Sequence, residues 1–444
     1  MTVPRTICLG FLAVIATGSL LLLLPISKTA GGWDHPITAL FTATSAVCVT
    51  GLSVVDVGTY YSGVGQAIIA ILVQVGGLGY MTATTFLLVL LGREFRLKDK
   101  LALHQTLETP GISGIRQMVI SIISVTLICE ILGIFLLLPV FSQEFGLDRG
   151  LWFAIFHSIS AFNNAGFGLL PDSFMRYVSN PVLNLTVSAL IIVGGLGYQV
   201  IMELYLWFQN EFKGHPRRIL FSMHFKVVTS TTIALLAVGT IAFLATEFNN
   251  PDTLGPLSFP GKLLASWFQS VTVRTAGFNS LNLGAMTTTS LFMTIAFMFV
   301  GASPGGTGGG VKTTTLRVLM ACTRATLQGK TEVLCYQRKI PTDVILKSIS
   351  MVLGSVVIVV SSTILISLVQ PQVEFLPLFY ETVSAFATVG LSIGVTAQAS
   401  IGTQLILIVV MYVGRVGVLM LMSALLGGTA PSIVHYPEEE LLVG

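Results

Sequence analysis

The chain has 444 residues, of which 53% are hydrophobic and only 10% charged, with a formal net charge of +3, whereas soluble domains carry about 25% charged residues. That composition excludes an ordinary soluble enzyme and predicts an integral protein of the lipid bilayer, and so small a positive surplus implies no nucleic-acid partner. The five cysteines have no CxxC spacing and no neighbouring His, so neither a disulfide framework nor a zinc site is expected.

Apolar runs near 7–26, 66–91, 117–140, 182–207, 227–246, 286–300, 348–368 and 402–428 each approach or exceed the roughly 20 residues needed to cross a bilayer as a helix. They predict eight spans. The first run is longer than the apolar part of a signal peptide, about 7–15 residues, and is read as a retained helix. Basic residues cluster in three loops: Arg93, Arg96, Lys98 and Lys100; Lys213, Arg217, Arg218 and Lys226; Arg317, Arg324, Lys330, Arg338, Lys339 and Lys347. The positive-inside rule places these loops, and hence both termini, in the cytoplasm.

Four stretches in the intervening loops resemble one another: SAVCVTGLS (45–53), SAFNNAGFG (160–168), SVTVRTAGFN (270–279) and SAFATVGLS (384–392). Their shared glycines, Gly51, Gly166, Gly277 and Gly390, lie 115, 111 and 113 residues apart, which marks one unit repeated four times. Ahead of three of them, Pro36, Pro260 and Pro377 open segments of about a dozen residues, because proline favours the first turn of a helix; RGLWFAIFHSISAF fills the same place in the second. Such segments are too short to span and are expected to be re-entrant. The predicted fold is all-α, with eight transmembrane helices and four re-entrant pore loops in a pseudo-fourfold, channel-like arrangement. The repeats are drawn at 1–110, 111–222, 223–340 and 341–444.

Irregular backbone at membrane depth is tolerated where it is buried in protein or lines a water-filled path. Four equivalent loops on one chain can line one path, where glycine permits the backbone angles that aim carbonyl oxygens at a desolvated cation. No acidic side chain lies in the loop cores, which favours a monovalent cation over calcium.

These loops, with QVGGLGYMT (74–82), VGGLGYQV (193–200) and GASPGGTGGGVKTTT (301–315), resemble the Trk/Ktr/HKT family of potassium transporters along essentially the whole chain, most closely the KtrB-type membrane subunit of bacterial Ktr systems. The resemblance implies a potassium filter at Gly51, Gly166, Gly277 and Gly390 with the carbonyls of Val49, Thr50, Asn164, Ala165, Thr275, Ala276, Thr388 and Val389. TVGLS departs from a tetrameric channel's filter by having Ser392 in place of a second glycine, so discrimination against sodium, a candidate modulator, is expected to be less strict. The resemblance further implies no enzyme activity, no organic cofactor, a bacterial plasma-membrane location, a homodimer, and regulation by a cytosolic nucleotide-binding ring of KtrA type. The basic loops and the tail YPEEELLVG offer that ring a surface.

The glycine run at 301–310 fits neither a P-loop, since Val311 precedes Lys312 and Thr313, nor the strand context of a G-x-S-x-G hydrolase. It reads as an unwound stretch of a pore-lining helix. The resemblance makes 301–313 the intramembrane gating loop, with Gly305, Gly306, Thr307, Gly308, Gly309, Gly310 and Lys312 as gate residues. Arg415, costly in the last span, is expected to latch the loop through its carbonyls. Arg274 is expected to brace the third filter loop through carbonyls, and Glu130 is a second costly charge whose partner is not legible. Two alternatives stand beside this reading: a sodium-coupled secondary transporter, and an intramembrane serine protease using Ser303 with His157 or His104.

Overall fold

The structure, a computed structural model, describes residues 2–79, 82, 115–212 and 220–426. One succession recurs four times: a long apolar helix, a shorter helix, a loop bearing an aligned glycine, and a second helix, which is interrupted in the second, third and fourth units. The first unit comprises Val3–Leu23, Pro36–Val47 and Gly63–Leu78. In the second, one element, Ile115–Phe162, serves as both long and short helix, broken at Gly146 with φ 76° and ψ 170°, and Pro181–Leu196 and Tyr198–Phe212 follow. The third has Met223–Glu247, Phe259–Thr272, Thr288–Phe299 and Thr313–Leu327. A small hairpin, Leu334–Cys335 with Arg338–Lys339, leads to the fourth: Thr342–Val369, Phe375–Phe386, Ile401–Val416 and Val418–Leu426.

Local chemistry explains the recurrence. Each second helix opens on a polar cap whose oxygen accepts a backbone N–H that the helix cannot satisfy: Ser62 from Gly65, Asn180 from Leu183, Thr287 from Ser290 and Ser400 from Thr403, at 3.1–3.3 Å. Proline stands at the first helical position in Pro36–Val47 and at the second in Phe259–Thr272, while Phe375–Phe386 begins two residues before Pro377. The long helices turn large apolar side chains outward, among them Leu20, Phe135, Ile241 and Leu368. Unbroken faces of this kind suit a hydrocarbon surround.

Among the described residues, four helices are long and apolar enough to cross a membrane, or six if each of two bent pairs counts as one span. The runs 182–207 and 402–428, expected to be single straight spans, bend by 104° and 95°. The hinges are Gly197 (φ 89°) and Gly417 (φ 91°), backbone conformations that only glycine adopts cheaply. Of the run 66–91, the described residues place a helix at Gly63–Leu78, followed by Gly79 with φ 78°, and 83–91 lie outside the described residues. Tyr80, Met81, the basic positions Arg93, Arg96, Lys98, Lys100, Lys213, Arg217 and Arg218, His104 and the tail 436–444 lie outside the described residues.

Candidate functional site

The four aligned glycines meet. A methyl group built on Gly51 would come within 2.4 Å of the Ala165 carbonyl oxygen, on Gly166 within 2.9 Å of that of Ala276, on Gly277 within 2.5 Å of that of Val389, and on Gly390 within 2.0 Å of that of Thr50. Each glycine thus abuts the residue just before the next glycine, and the fourth returns to the first, closing a ring. Any side chain would strike fixed backbone. The glycines have φ of 70–90°, and the residues two places before them, Val49, Asn164, Thr275 and Thr388, also have positive φ, from 52° to 65°. For non-glycine residues this left-handed backbone is costly and persists only where surroundings enforce it.

The short helices do the enforcing. Thr50, Ala165 and Val389 each donate their N–H to the carbonyl five residues earlier, of Ser45, Ser160 and Ser384, all at 2.8 Å. The third unit is drawn tighter, with Ala276 N–H reaching Thr272 at 3.0 Å. Hydroxyls secure the far side: Ser160 donates to the Phe167 carbonyl at 2.7 Å and Thr272 to that of Phe278 at 2.5 Å. His157 Nε2 accepts the Leu169 N–H at 3.3 Å while Nδ1 meets the Phe153 carbonyl, and the Glu381 carboxylate accepts from the N–H and hydroxyl of Thr396. His157 is therefore occupied in holding the second loop, and Ser303 pairs instead with the Thr313 hydroxyl at 2.8 Å. At the loop's outer rim Tyr60 donates to Asp34 at 2.5 Å; burial, then that hydrogen bond, pushes its phenol up to about 12.

Directly against the ring lies the segment 300–312, unwound between Thr288–Phe299 and Thr313–Leu327. Its contacts are with the residues that precede the glycines. Thr307 donates from its hydroxyl toward Asn164 Oδ1 at 3.2 Å, and Gly309 N–H donates to the Thr388 hydroxyl at 3.1 Å. A methyl on Gly308 would sit 1.9 Å from the Thr275 hydroxyl, so only glycine allows this approach. The neighbouring helix end supplies backbone partners, with Ser303 and Thr307 donating to Gly195 and Gly194 at 3.0 and 3.1 Å, and Tyr198 donating to Gly305 at 3.3 Å.

Arg415 spans this arrangement. Its guanidinium donates to the carbonyls of Thr307 and Gly76, and to that of Gly77 at 3.3 Å. It stands at the repeat position that Gly77 and Gly195 hold in the first and second units. Lys312 Nζ donates to the Gly308 carbonyl at 2.8 Å, folding back on the loop rather than facing an open path. Gly306 and Gly310 complete the turns of the same loop, Gly310 with φ 70°.

One expectation fails here. Arg274 is buried, yet its Nε has no hydrogen-bond partner among the described residues. Instead of carbonyls it borders a cavity of about 10 Å³ with Asn164, Thr232, Gly195 and Ala302. Glu130 gains a partner the sequence did not reveal: its Oε1 accepts from Asn163 Nδ2 at 3.2 Å, and the same amide donates to Gln74 Oε1 at 2.8 Å. Asn163 precedes the second loop's left-handed residue, and only its position in the repeat could have flagged it. Gln74 is thus a hydrogen-bonding residue as well as a packing one.

The family model described as TrkH, cation transport protein, matches residues 10–426. The chain is 38% identical over 444 residues to the Ktr system potassium uptake protein B of Bacillus subtilis (strain 168), covering all of this chain and 97% of that one. It is also 38% identical to the protein of the same name from Vibrio alginolyticus, across 99% of this chain and 95% of the other. To the potassium/sodium uptake protein NtpJ of Enterococcus hirae it is 35% identical, covering 99% and 97%. The crystal structure of the potassium transporter TrkH from Vibrio parahaemolyticus superposes with a TM-score of 0.69 at 18% identity, over 94% of this chain and 82% of that chain, a likeness of fold. Four fused units closing a glycine ring, on a chain matched along nearly its whole length, belong to one lineage: this protein is a member of the TrkH cation transport family.

Proposed function

We propose that this chain moves potassium across the bacterial plasma membrane through the ring of Gly51, Gly166, Gly277 and Gly390. The observation that carries this reading is the closed ring itself, with a hydrogen-bonded glycine-rich loop lying against it. Positive φ at the first and third residue of Val49–Gly51, Asn164–Gly166, Thr275–Gly277 and Thr388–Gly390, but not at the second, supports carbonyls presented together toward one axis. Carbonyl rings of this kind replace the hydration shell of a potassium ion. Relatives named as potassium uptake proteins support the choice of ion, and the one named potassium/sodium supports a modulating role for sodium.

On this reading the four units are pore repeats with boundaries near 110, 222 and 340. Eight spans are counted by joining the bent and interrupted second helices, and both termini are cytoplasmic. The segment 301–313 is the gate. Arg415 holds it shut by binding the Thr307 carbonyl, and the path opens when the loop withdraws. Two copies associate, and a separate cytosolic nucleotide-binding ring drives the opening, in keeping with relatives whose names make them part of a Ktr system.

Potassium uptake by transport-deficient bacteria expressing wild type, Gly277→Ser and a deletion of 305–310 tests both halves. Expected are restored uptake by wild type, weakened potassium-over-sodium discrimination in Gly277→Ser, and excess flux in the deletion. Wild type that moves no potassium refutes the function; flux untouched by either change makes the ring and loop scaffold.

A further inference from the structure

On the far side of the glycine-rich loop from the ring, the helix Thr313–Leu327 and the hairpin after it enclose a cavity of about 360 Å³. Its wall carries Arg317, Arg324 and Lys330, and among the described residues none of the three has an ion pair. The positions 317 and 324 lie two turns apart on one helix face, so both guanidiniums border the same space. Tyr336 stands opposite: its ring lies 5.9 Å from the Arg317 guanidinium, and its hydroxyl donates to Ser230 at 2.8 Å. That stacking holds Arg317 in place. Glu332 is the acid in the lining, and Lys339 engages it at 2.7 Å. Three cations lining one hollow with no acidic partner among the described residues repel one another, which costs stability unless an anion joins them.

We infer that this cavity binds a phosphate group. Guanidiniums pair with phosphate oxygens through two parallel N–H donors, a geometry that two arginines and one lysine around a shared hollow can supply. The rim indicates how the group arrives. Met320 is 55% exposed and Leu334 52%, and both line the cavity beside the cations. Basic residues interleaved with outward apolar ones at a membrane's inner surface suit an anionic lipid, whose chains cover the apolar rim while its headgroup enters the hollow. A soluble phosphate compound offers the same headgroup chemistry without the chains.

The position gives the site a consequence that rests on the gating reading above. The helix Thr313–Leu327 begins one residue after Lys312, which is bonded to Gly308 of the loop, and Arg317 sits on its first turns. An anion drawing Arg317 and Arg324 together toward the hairpin shifts the helix that carries one end of the loop. Phosphate occupancy therefore biases the loop's withdrawal.

The test uses the full chain in nanodiscs of phosphatidylcholine with and without phosphatidylglycerol, and native mass spectrometry of the lipid retained. Near a membrane each basic residue is worth about fivefold in affinity, so Arg317→Gln, Arg324→Gln or Lys330→Gln should each lose about fivefold in phosphatidylglycerol retention and the triple variant on the order of a hundredfold. Glu332→Gln, which removes the acid from the lining, should retain more. Because Arg324 and Lys330 are exposed, the pair Arg324→Glu with Lys330→Glu serves as a variant that folds, verified by an unchanged melting temperature. Added sodium phosphate that displaces the lipid identifies a soluble source; lipid retention indifferent to phosphate identifies the headgroup. Equal retention of phosphatidylglycerol by wild type, triple variant and charge-reversed pair, with no phosphate binding, overturns the site. Lost binding in the triple variant with unaltered potassium flux keeps the site and removes its link to the loop.

Discussion

Arg274, buried, and Arg415, partly buried, both bring a guanidinium beside the ring, and their surroundings are opposite. Arg415 donates to three carbonyls from two separate units, so its desolvation is offset by charge-assisted hydrogen bonds. Arg274 faces a small hollow with its Nε unmatched. An uncompensated buried charge destabilises, and an apolar side chain of similar length removes that cost. Arg274→Met should therefore leave the protein as stable as wild type or up to about 4 kcal/mol more stable, read as the melting temperature of the purified protein in detergent. A fall of several degrees would mean that Arg274 has a partner that the geometry does not reveal. Arg415 and Glu130 were legible as expensive charges in apolar sequence, and the loop carbonyls as a partner for Arg415, but the partner of Glu130 and the surroundings of Arg274 were not. Asn163, Gln74 and Thr307 are ordinary polar residues until the fold brings them within hydrogen-bond reach.

Helices interrupted at equivalent places define the scale above. The GGLG motifs read from sequence as packing glycines, and packing is part of their role, as it is for the equivalent GRVG (414–417) of the fourth unit: a methyl on Gly194 would stand 1.9 Å from the Phe162 carbonyl that ends the short helix of the same unit, and one on Gly414 would stand 1.8 Å from that of Phe386. The last glycine of each motif does something else, since Gly79, Gly197 and Gly417 are where the helix stops or turns. Gly197 and Gly417 share a strained φ but differ in surroundings. A methyl on Gly197 would come within 2.4 Å of the Pro304 carbonyl in the glycine-rich loop, whereas nothing lies within 4 Å at Gly417. Gly417→Ala should cost only the backbone strain, about 1–3 kcal/mol. Gly197→Ala should cost more and also displace the loop, so comparing melting temperatures and potassium uptake of the two variants separates strain from contact. Equal losses with equal uptake would show that the loop yields to the methyl without consequence. Sequence periodicity could not show these bends, because the apolar pattern runs through the hinge unbroken.

At the scale of the whole molecule, the chain closes on itself. The first helix packs against the last, with Arg5 Nε donating to the Ala424 carbonyl at 2.7 Å and the Tyr412 hydroxyl donating to that of Cys8 at 2.9 Å. The fourth unit thereby returns to the first, as the glycine ring requires. Tyr412→Phe leaves the packing and removes the hydroxyl's bond to the Cys8 carbonyl, and should cost about 1 kcal/mol, visible as a small drop in melting temperature with potassium uptake retained. A collapse of expression or uptake would place the closure of the whole assembly on that hydroxyl. The sequence by itself determined the membrane class, the fourfold recurrence, the four glycines and the unwound loop, because composition, spacing and glycine content are local properties that hydrophobicity and backbone sterics read directly. It takes the packed units to show that Gly51 meets Ala165 and Gly390 meets Thr50, that Arg415 reaches from the fourth unit to the first and third, and that Arg274 Nε finds no hydrogen-bond partner among the described residues. Those contacts join residues from different units, most of them a hundred or more positions apart, and which polar groups meet there depends on how the packed units close around one axis.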